Sequence, residues 1–236
     1  VKSEGKAKYA LGSVLGHVLL HQTINGNEAI LQMEQAGDYP DIIVGCTGGG
    51  SNLAGLMFPF LGQQLRGGHK IDIIGCEPLS CPSFTKGTYA YDHGDMARMT
   101  PLIKMHTLGS DFLPPANHSG GLRYHGMSYH LSHLYDLGLM RAKAYGQKDC
   151  FEAGVIFGKQ EGIIPAPEGN HAVKGAIDSA LECKEKGESK TILFNLCGHG
   201  HFDMTAYDDY FNGRLADDFY DESSVNQSLS KLPEIA

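Results

Sequence analysis

Asp41-Ile-Ile-Val-Gly-Cys46-Thr-Gly-Gly-Gly50-Ser-Asn52 is the stretch whose reading decides the fold. Asp41 to Cys46 is a short apolar run, the pattern of a strand buried on both faces of a parallel sheet. Gly48, Gly49 and Gly50 follow at once, with Ser51 and Asn52 behind them. Leu53 to Leu65 then reads as a helix, bent by Pro59. Ile71-Asp-Ile-Ile-Gly-Cys76 is a second apolar strand. Strand, glycine loop, helix, strand is one βαβ unit, so the class is α/β with a parallel sheet.

Upstream, residues 1–8 are charged and read as a leading surface segment. From Tyr9 to Gln35 the apolar residues Leu11, Val14, Leu15, Val18, Leu19, Ile30 and Met33 recur at helical spacing. The run reads as one or two helices, interrupted near Asn25-Gly26-Asn27. Downstream, residues 77–121 have little periodicity and several prolines, and read as a long functional loop. A helix is expected around Tyr129–Leu137 and a short strand at Ala142–Tyr145. Asp149 is placed as the N-cap of a helix that runs to Lys159 and stops at Gly162. Residues 169–186 form an amphipathic helix with Val173, Ala176, Ile177, Ala180 and Leu181 on its apolar face. Thr191 to Leu196 is a third strand, followed by Cys197-Gly-His-Gly-His201. Residues 216–236 are polar and acidic, with little to bury, and read as a mobile tail.

The chain has 236 residues, 19 basic and 27 acidic, for a net charge of −8. At roughly 150 residues per domain that is between one and two domains. The 42% hydrophobic content supports a sizeable core and excludes a disordered chain. The acidic balance excludes a nucleic-acid binder, because nothing neutralises a row of phosphates. No stretch approaches about 18 consecutive apolar residues, so no membrane helix is expected. The first residues lack the apolar core of a signal peptide, and the sequence opens on Val1 rather than Met. Cys46, Cys76, Cys81, Cys150, Cys183 and Cys197 form no C-x-x-C pair. They read as reduced, mostly buried thiols of a cytoplasmic protein.

Four places carry chemistry. The glycine run lets backbone amides approach a ligand with no Cβ in the way, at the head of a helix whose dipole favours an anion. Ser51 and Asn52 add side-chain donors. No lysine follows, so this is not a Walker A loop, and G-x-G-x-x-G spacing is absent. The plainer reading is a flexible turn. Leu196-Cys-Gly-His-Gly-His201 also follows a strand and would open on the same sheet edge. Cys197, His199, His201 and Asp203 do not match a standard metal-ligand spacing, so no metal is assigned. In Glu161-Gly-Ile-Ile-Pro-Ala-Pro-Glu168-Gly-Asn-His171, Glu168 reads on its own as a helix cap. In His118-Ser-Gly-Gly-Leu-Arg123-Tyr-His-Gly126, Arg123 is either an anion clamp or a surface arginine. The pairs His17/His21 and His130/His133 are left structural.

Taken in order, several runs resemble the tryptophan synthase beta chain, most nearly its second, beta-like group. These are Tyr9-Ala-Leu-Gly-Ser-Val-Leu-Gly-His17, Leu20-His-Gln-Thr23, Gly48-Gly-Gly-Ser-Asn52, Glu161-Gly-Ile-Ile-Pro165 and Asn195-Leu-Cys-Gly-His-Gly200. The resemblance runs from about residue 6 to about residue 215 and covers the carboxyl-terminal half of that family's chain. It implies fold type II of the pyridoxal-phosphate enzymes, a three-layer α/β domain over residues 1–215, with the tail at 216–236. It implies pyridoxal 5'-phosphate as cofactor and a lyase activity that joins indole to the unit formed from serine or O-phosphoserine. It makes Gly48, Gly49, Gly50, Ser51 and Asn52 the phosphate cup. Cys197 falls where the family has the serine that faces the pyridine nitrogen, a neutral partner that suits elimination better than transamination. Glu168 matches a glutamate beside the cofactor's phenolic oxygen, although the family's Glu-Ser-Ser-His is here Glu168-Gly-Asn-His171.

Arg123 stands where the main group has aspartate near the substrate hydroxyl and the beta-like group has arginine. A guanidinium there favours a phosphorylated donor over free serine. The family's Schiff-base lysine lies in the amino-terminal half, and no lysine of these 236 residues sits in that motif. The chain is therefore expected to be inactive alone and to work as a homodimer or with a partner that supplies the other half. A dehydratase or threonine synthase shares the glycine cup. A non-catalytic pyridoxal-phosphate- or phosphate-binding subunit is the competing class, and a metal hydrolase built on the histidine turns is a third.

Overall fold

The computed structural model describes residues 5–217 and 219–234. The elements are α1 (Gly16–Ala36), β1 (Ile42–Cys46), α2 (Ser51–Leu65), β2 (Asp72–Pro78), α3 (Ser83–Lys86), β3 (Thr88–His93), β4 (Leu102–Thr107), α4 (Tyr129–Asp136), β5 (Arg141–Tyr145), α5 (Gln147–Glu161), α6 (Pro167–Lys186), β6 (Ile192–Phe194), α7 (Met204–Phe211) and α8 (Glu222–Leu229). The first four residues of the expected leading segment, and 218, 235 and 236 of the expected tail, lie outside the described residues.

The order β5-β2-β1-β6 forms one parallel sheet. β1 sits inside it, with Val44 opposite Ile74 on one side and Phe194 on the other. Alternate residues feed opposite faces, as a period of two demands. Ile43 and Ile73 join Leu53, Met57 and Phe60 of α2 and Leu19 of α1. Ile42, Val44, Ile74 and Cys76 join Cys150 of α5 and Cys183 of α6. Helices on both faces of a parallel sheet make the expected three layers. The carboxyl ends of β1 and β6 then share one edge, which is where the two glycine turns emerge.

Four expectations are corrected. α1 runs unbroken through Asn25-Gly26-Asn27. Gly26 is there because α1 and α2 touch: a Cβ would lie 2.4 Å from the Leu56 carbonyl oxygen and 2.6 Å from that of Gly55. Residues 77–121 hold α3 and the antiparallel hairpin β3–β4 rather than a bare loop. On α6 the buried positions past its first turn include Ala172, Val173, Gly175, Ser179 and Cys183, whereas Ala180 and Leu181 of the expected face are exposed. Small residues, not the large ones, let that helix approach the sheet: a Cβ on Gly175 would fall 2.4 Å from Cys76 Sγ.

The mobile tail is the fourth. α8 is capped by the Asp221 carboxylate, which accepts from the amides of Ser223 and Ser224. Val225 is buried against Cys81, Leu108 and Phe112, with Tyr220 and Leu229 beside them. A few apolar residues in an acidic segment suffice to dock one short helix. All six cysteines are free thiols, five of them buried.

The two readings of Gly26 predict opposite signs for Gly26→Ala. A flexible break would gain roughly 0.5–1 kcal/mol from better helix propensity. A tight crossing loses about 1–3 kcal/mol through overpacking against backbone. Urea unfolding should show the loss.

Candidate cofactor site

The glycine loop is held on three sides. A Cβ on Gly48 would stand 2.8 Å from the Gly121 carbonyl oxygen and from Leu122 Cα. One on Gly49 would stand 2.3 Å from Ser13 Oγ. Gly50 has φ +105°, in the left-handed region that L side chains avoid. The run is glycine because its backbone is packed directly on neighbouring backbone. Ser128 N–H donates to the Gly49 carbonyl at 3.0 Å. Among the described residues nothing accepts from the amides of Gly48, Gly49 or Gly50. α2 begins at Ser51, so its first amides are unpaired as well. Two buried hydroxyls beside the loop, Thr47 Oγ1 and Ser128 Oγ, also lack partners. Buried donors left open in this way mark a place for an acceptor-rich group.

The second turn reaches the same rim. Cys197 Sγ lies 3.4 Å from Cys46 Sγ, at the carboxyl end of β1. Asn52 donates its side-chain amide to Cys46 Sγ at 3.1 Å, and Asn195 donates to Asn52 Oδ1 at 2.6 Å. The Asn52 side chain is thus committed to the rim, while its backbone amide stays at the helix head. The contact with Cys197 and burial together push the Cys46 thiol well above its ordinary range. The same contact, with Cys46 as donor, lowers that of Cys197. Ser51, Asn52, Asn195 and Cys197 share a cavity of about 540 Å³.

Glu168 sits in the first turn of α6, yet its carboxylate does not cap that helix. It accepts from Gly121 N–H at 2.9 Å. The Gly120–Leu122 turn therefore touches the glycine loop through its carbonyl side and Glu168 through an amide. Arg123, next along, is half-buried rather than a free surface arginine. It donates from Nε to the Pro115 carbonyl at 2.7 Å and from Nη2 to the Pro114 carbonyl at 2.5 Å. It lines a separate cavity of about 440 Å³ with Tyr9, Asp95 and Tyr124. His199 and His201 pack edge to face at 4.8 Å, and no metal-ligating cluster occurs among the described residues. The thiol pair, Asn195 and the Glu168–Gly121 bond escaped sequence reasoning. Only the placing of Cys46 and Cys197 at the ends of two strands hinted at the first.

An open parallel α/β sheet whose first strand feeds an amide-lined glycine loop at a helix head defines a binder of phosphorylated ligands. The pyridoxal-phosphate dependent enzyme family matches residues 17–198, and the chain belongs to that family. Curated relatives named tryptophan synthase beta chain 2 are 58% identical in Methanosarcina mazei, over 88% of this chain and 47% of the relative, and 58% identical in Aquifex aeolicus, over 91% and 50%. A tryptophan synthase beta chain of Pyrococcus horikoshii is 51% identical over 99% of this chain and 50% of its own. The chain spans about half the length of these relatives.

Among solved structures, an L-serine ammonia-lyase from Rhizomucor miehei shares the fold with a TM-score of 0.60 at 14% identity, covering 85% of this chain and 58% of the lyase. A threonine deaminase from T.th. does so at 0.57 and 15%, covering 80% and 53%. These two show the fold of type II pyridoxal-phosphate enzymes. Pyridoxal phosphate is the cofactor the family indicates, and the unpaired amides and hydroxyls around Gly48–Ser51 fit its phosphate. No helix among the described residues is long and apolar enough to cross a membrane.

His171, one turn beyond Glu168, is buried; its Nδ1–H donates to the Pro167 carbonyl at 3.0 Å and its Nε2 has no partner. Burial lowers its pKa to about 4. The fold therefore holds the ring neutral, while the unfolded chain takes up a proton below about 6.5. Its contribution is complete above pH 6.5 and is lost as pH falls toward 4, about 3 kcal/mol in all. Glu77, raised by burial to about 7, works in the opposite sense, losing stability as pH rises from 4.5 through 7. The difference between wild type and His171→Leu isolates the histidine: their unfolding free energies should converge by about this amount between pH 7 and pH 4. Parallel curves would contradict it.

Proposed function

We propose that the chain is the phosphate-holding half of a pyridoxal-phosphate lyase of tryptophan synthase beta type, cytoplasmic, that joins indole to the three-carbon unit of serine or O-phosphoserine to give tryptophan. One observation carries this reading: unpaired amides at Gly48–Gly50 and the α2 head share a sheet edge with Cys197. In this proposal the amides of Gly48 to Asn52 hold the cofactor's phosphate, with Ser51 adding a hydroxyl. When bound, the cofactor supplies the electron sink for bond cleavage at the substrate's α and β carbons. With Cys46 donating its S–H to Cys197 Sγ, the Cys197 S–H is free to face the ring nitrogen. Glu168, fixed by the Gly121 amide, sits on the phenolic side.

Arg123 orients the donor substrate. Two of its N–H groups fasten the Pro114–Pro115 carbonyls, which fixes the plane of the guanidinium. The remaining donors then face the cavity beside Tyr124 and Asp95, where a phosphate ester is preferred over a hydroxyl. The lysine that covalently holds the cofactor belongs to the other half, supplied by a partner chain or by the rest of a longer chain. The working assembly is proposed to be a homodimer of the complete unit.

Titrating the ¹⁵N-labelled chain with pyridoxal phosphate should shift the amide resonances of Gly48 to Asn52, and pyridoxal without its phosphate should not. Borohydride reduction should leave every lysine of this chain unlabelled. Equal shifts with both ligands would overturn the cup, and a labelled lysine would overturn the division into halves. In a full-length relative with arginine at the matched position, exchange for aspartate should move the preference from O-phosphoserine toward serine by at least about tenfold, equivalent to about 1.4 kcal/mol. An unchanged ratio of kcat/KM removes Arg123 from the donor site.

A further inference from the structure

Cys46 and Cys197 are 151 positions apart in sequence and face each other at 3.4 Å between sulfurs. They close the ends of neighbouring parallel strands, where Asn195 N–H still donates to the Val44 carbonyl at 3.0 Å. Their surroundings differ. Cys46 is 1% exposed, whereas Cys197 is only partly buried and lines the 540 Å³ cavity. A polar relay runs toward the exposed one. Asn195 donates to Asn52 Oδ1, Asn52 donates to Cys46 Sγ, and Cys46 Sγ meets Cys197 Sγ, where either thiol can donate. The first two links point donated hydrogen at the thiol pair, and Cys46 S–H turned toward Cys197 favours the Cys197 thiolate, the nucleophilic form.

We propose that Cys46 and Cys197 are an oxidative modification site, a dithiol that hydrogen peroxide converts to a disulfide at the rim of the glycine loop. Cys197 is the sulfur attacked first. It takes one oxygen from the peroxide to become a sulfenic acid, and one water leaves. The Cys46 sulfur then displaces that oxygen as a second water, and the S–S bond forms. The two thiols lose two electrons and two protons in all, and the peroxide is reduced to two waters. Closing the contact from 3.4 Å to a bond of about 2.05 Å asks for a shift of little more than 1 Å, shared between the Cys197 turn and the end of β1. The bond removes the S–H that Cys197 presents to the cavity and draws the second turn against the first.

Only the functional consequence rests on the cofactor reading; the chemistry rests on the two thiols alone. The test treats the chain with hydrogen peroxide, unfolds it, alkylates free thiols and maps the digest by mass. A linked peptide pair carrying Cys46 and Cys197, lighter by two hydrogens and restored by dithiothreitol, is the expected result, with Cys76, Cys81, Cys150 and Cys183 alkylated. Cys46→Ser should trap Cys197 as a sulfenic acid that dimedone labels, and Cys197→Ser should leave Cys46 unoxidised. Circular dichroism matching that of wild type shows that both variants fold; if one does not, Cys46→Ala or Cys197→Ala takes its place in the same assay. Oxidation of Cys197 straight to sulfinic or sulfonic acid with Cys46 still alkylated, or six free thiols after treatment, would overturn the proposal. Because the readout is the mass of the linkage, its failure is separate from a failure to bind pyridoxal phosphate.

Discussion

Backbone packed on backbone at Gly48–Gly50 is the constraint on which the site depends. The loop touches the Gly121–Leu122 turn on one side and Ser13–Val14 on another, at distances that leave no room for a side chain. That contact ties together three segments far apart in sequence. It also leaves the loop's own amides without an acceptor among the described residues. A donor array of this kind is preorganised: its dipoles are set by folding and need no rearrangement when a ligand arrives. The sheet does the rest. Parallel order carries β1 and β6 to the same edge, so Cys197 reaches Cys46 through topology rather than through any local signal.

The βαβ unit was legible because an apolar run, three glycines and a helical segment appear in immediate succession, and each has one economical structural reading. β5 and the carboxyl ends of α5 and α6 were readable for similar reasons, with Gly162 and Gly187 stopping helices at φ +72° and +66°, whereas α5 starts at Gln147 behind Gly146 and not at the expected Asp149 cap. What was not legible depends on distant contacts. Gly26 looks like a break in one dimension and is a close helix crossing in three. The β3–β4 hairpin was missed because its strands are half-exposed and carry Asp92, His93, Lys104 and His106, which weaken the alternation. α8 was missed because docking needs only Val225 and a few companions, too few to register in composition.

The same limit applies inside the site. The sequence placed Glu168 at a helix start, where capping is the simplest explanation, but the carboxylate reaches across to Gly121. The Asn52 side chain reads in the sequence as a donor to a ligand, and its amide is instead the middle of a chain from Asn195 to Cys46. Both cases show that a polar residue's partner is decided by the turn opposite it. Arg123 is the intermediate case. Its exposure could not be read from spacing, and its two bonds to the Pro114 and Pro115 carbonyls now show a group fixed in orientation while part of its donor fork remains unspent.

Charge adds a last constraint on how the cup can work. Among the residues lining the cavity shared by Ser51, Asn52 and Cys197 there is no lysine or arginine, and Glu28 is acidic. With a net charge of −8, the chain offers no long-range attraction for an anion. Affinity for a phosphate must come from amides at contact distance and from the α2 dipole, which fades within a turn. Such recognition is short-ranged and only weakly sensitive to salt, unlike binding steered by surface lysines, which salt screens over about 10 Å. It also discriminates by shape, since the ester must seat against the loop before any stabilisation is realised. The guanidinium at Arg123 differs in kind, a full charge beside a separate cavity.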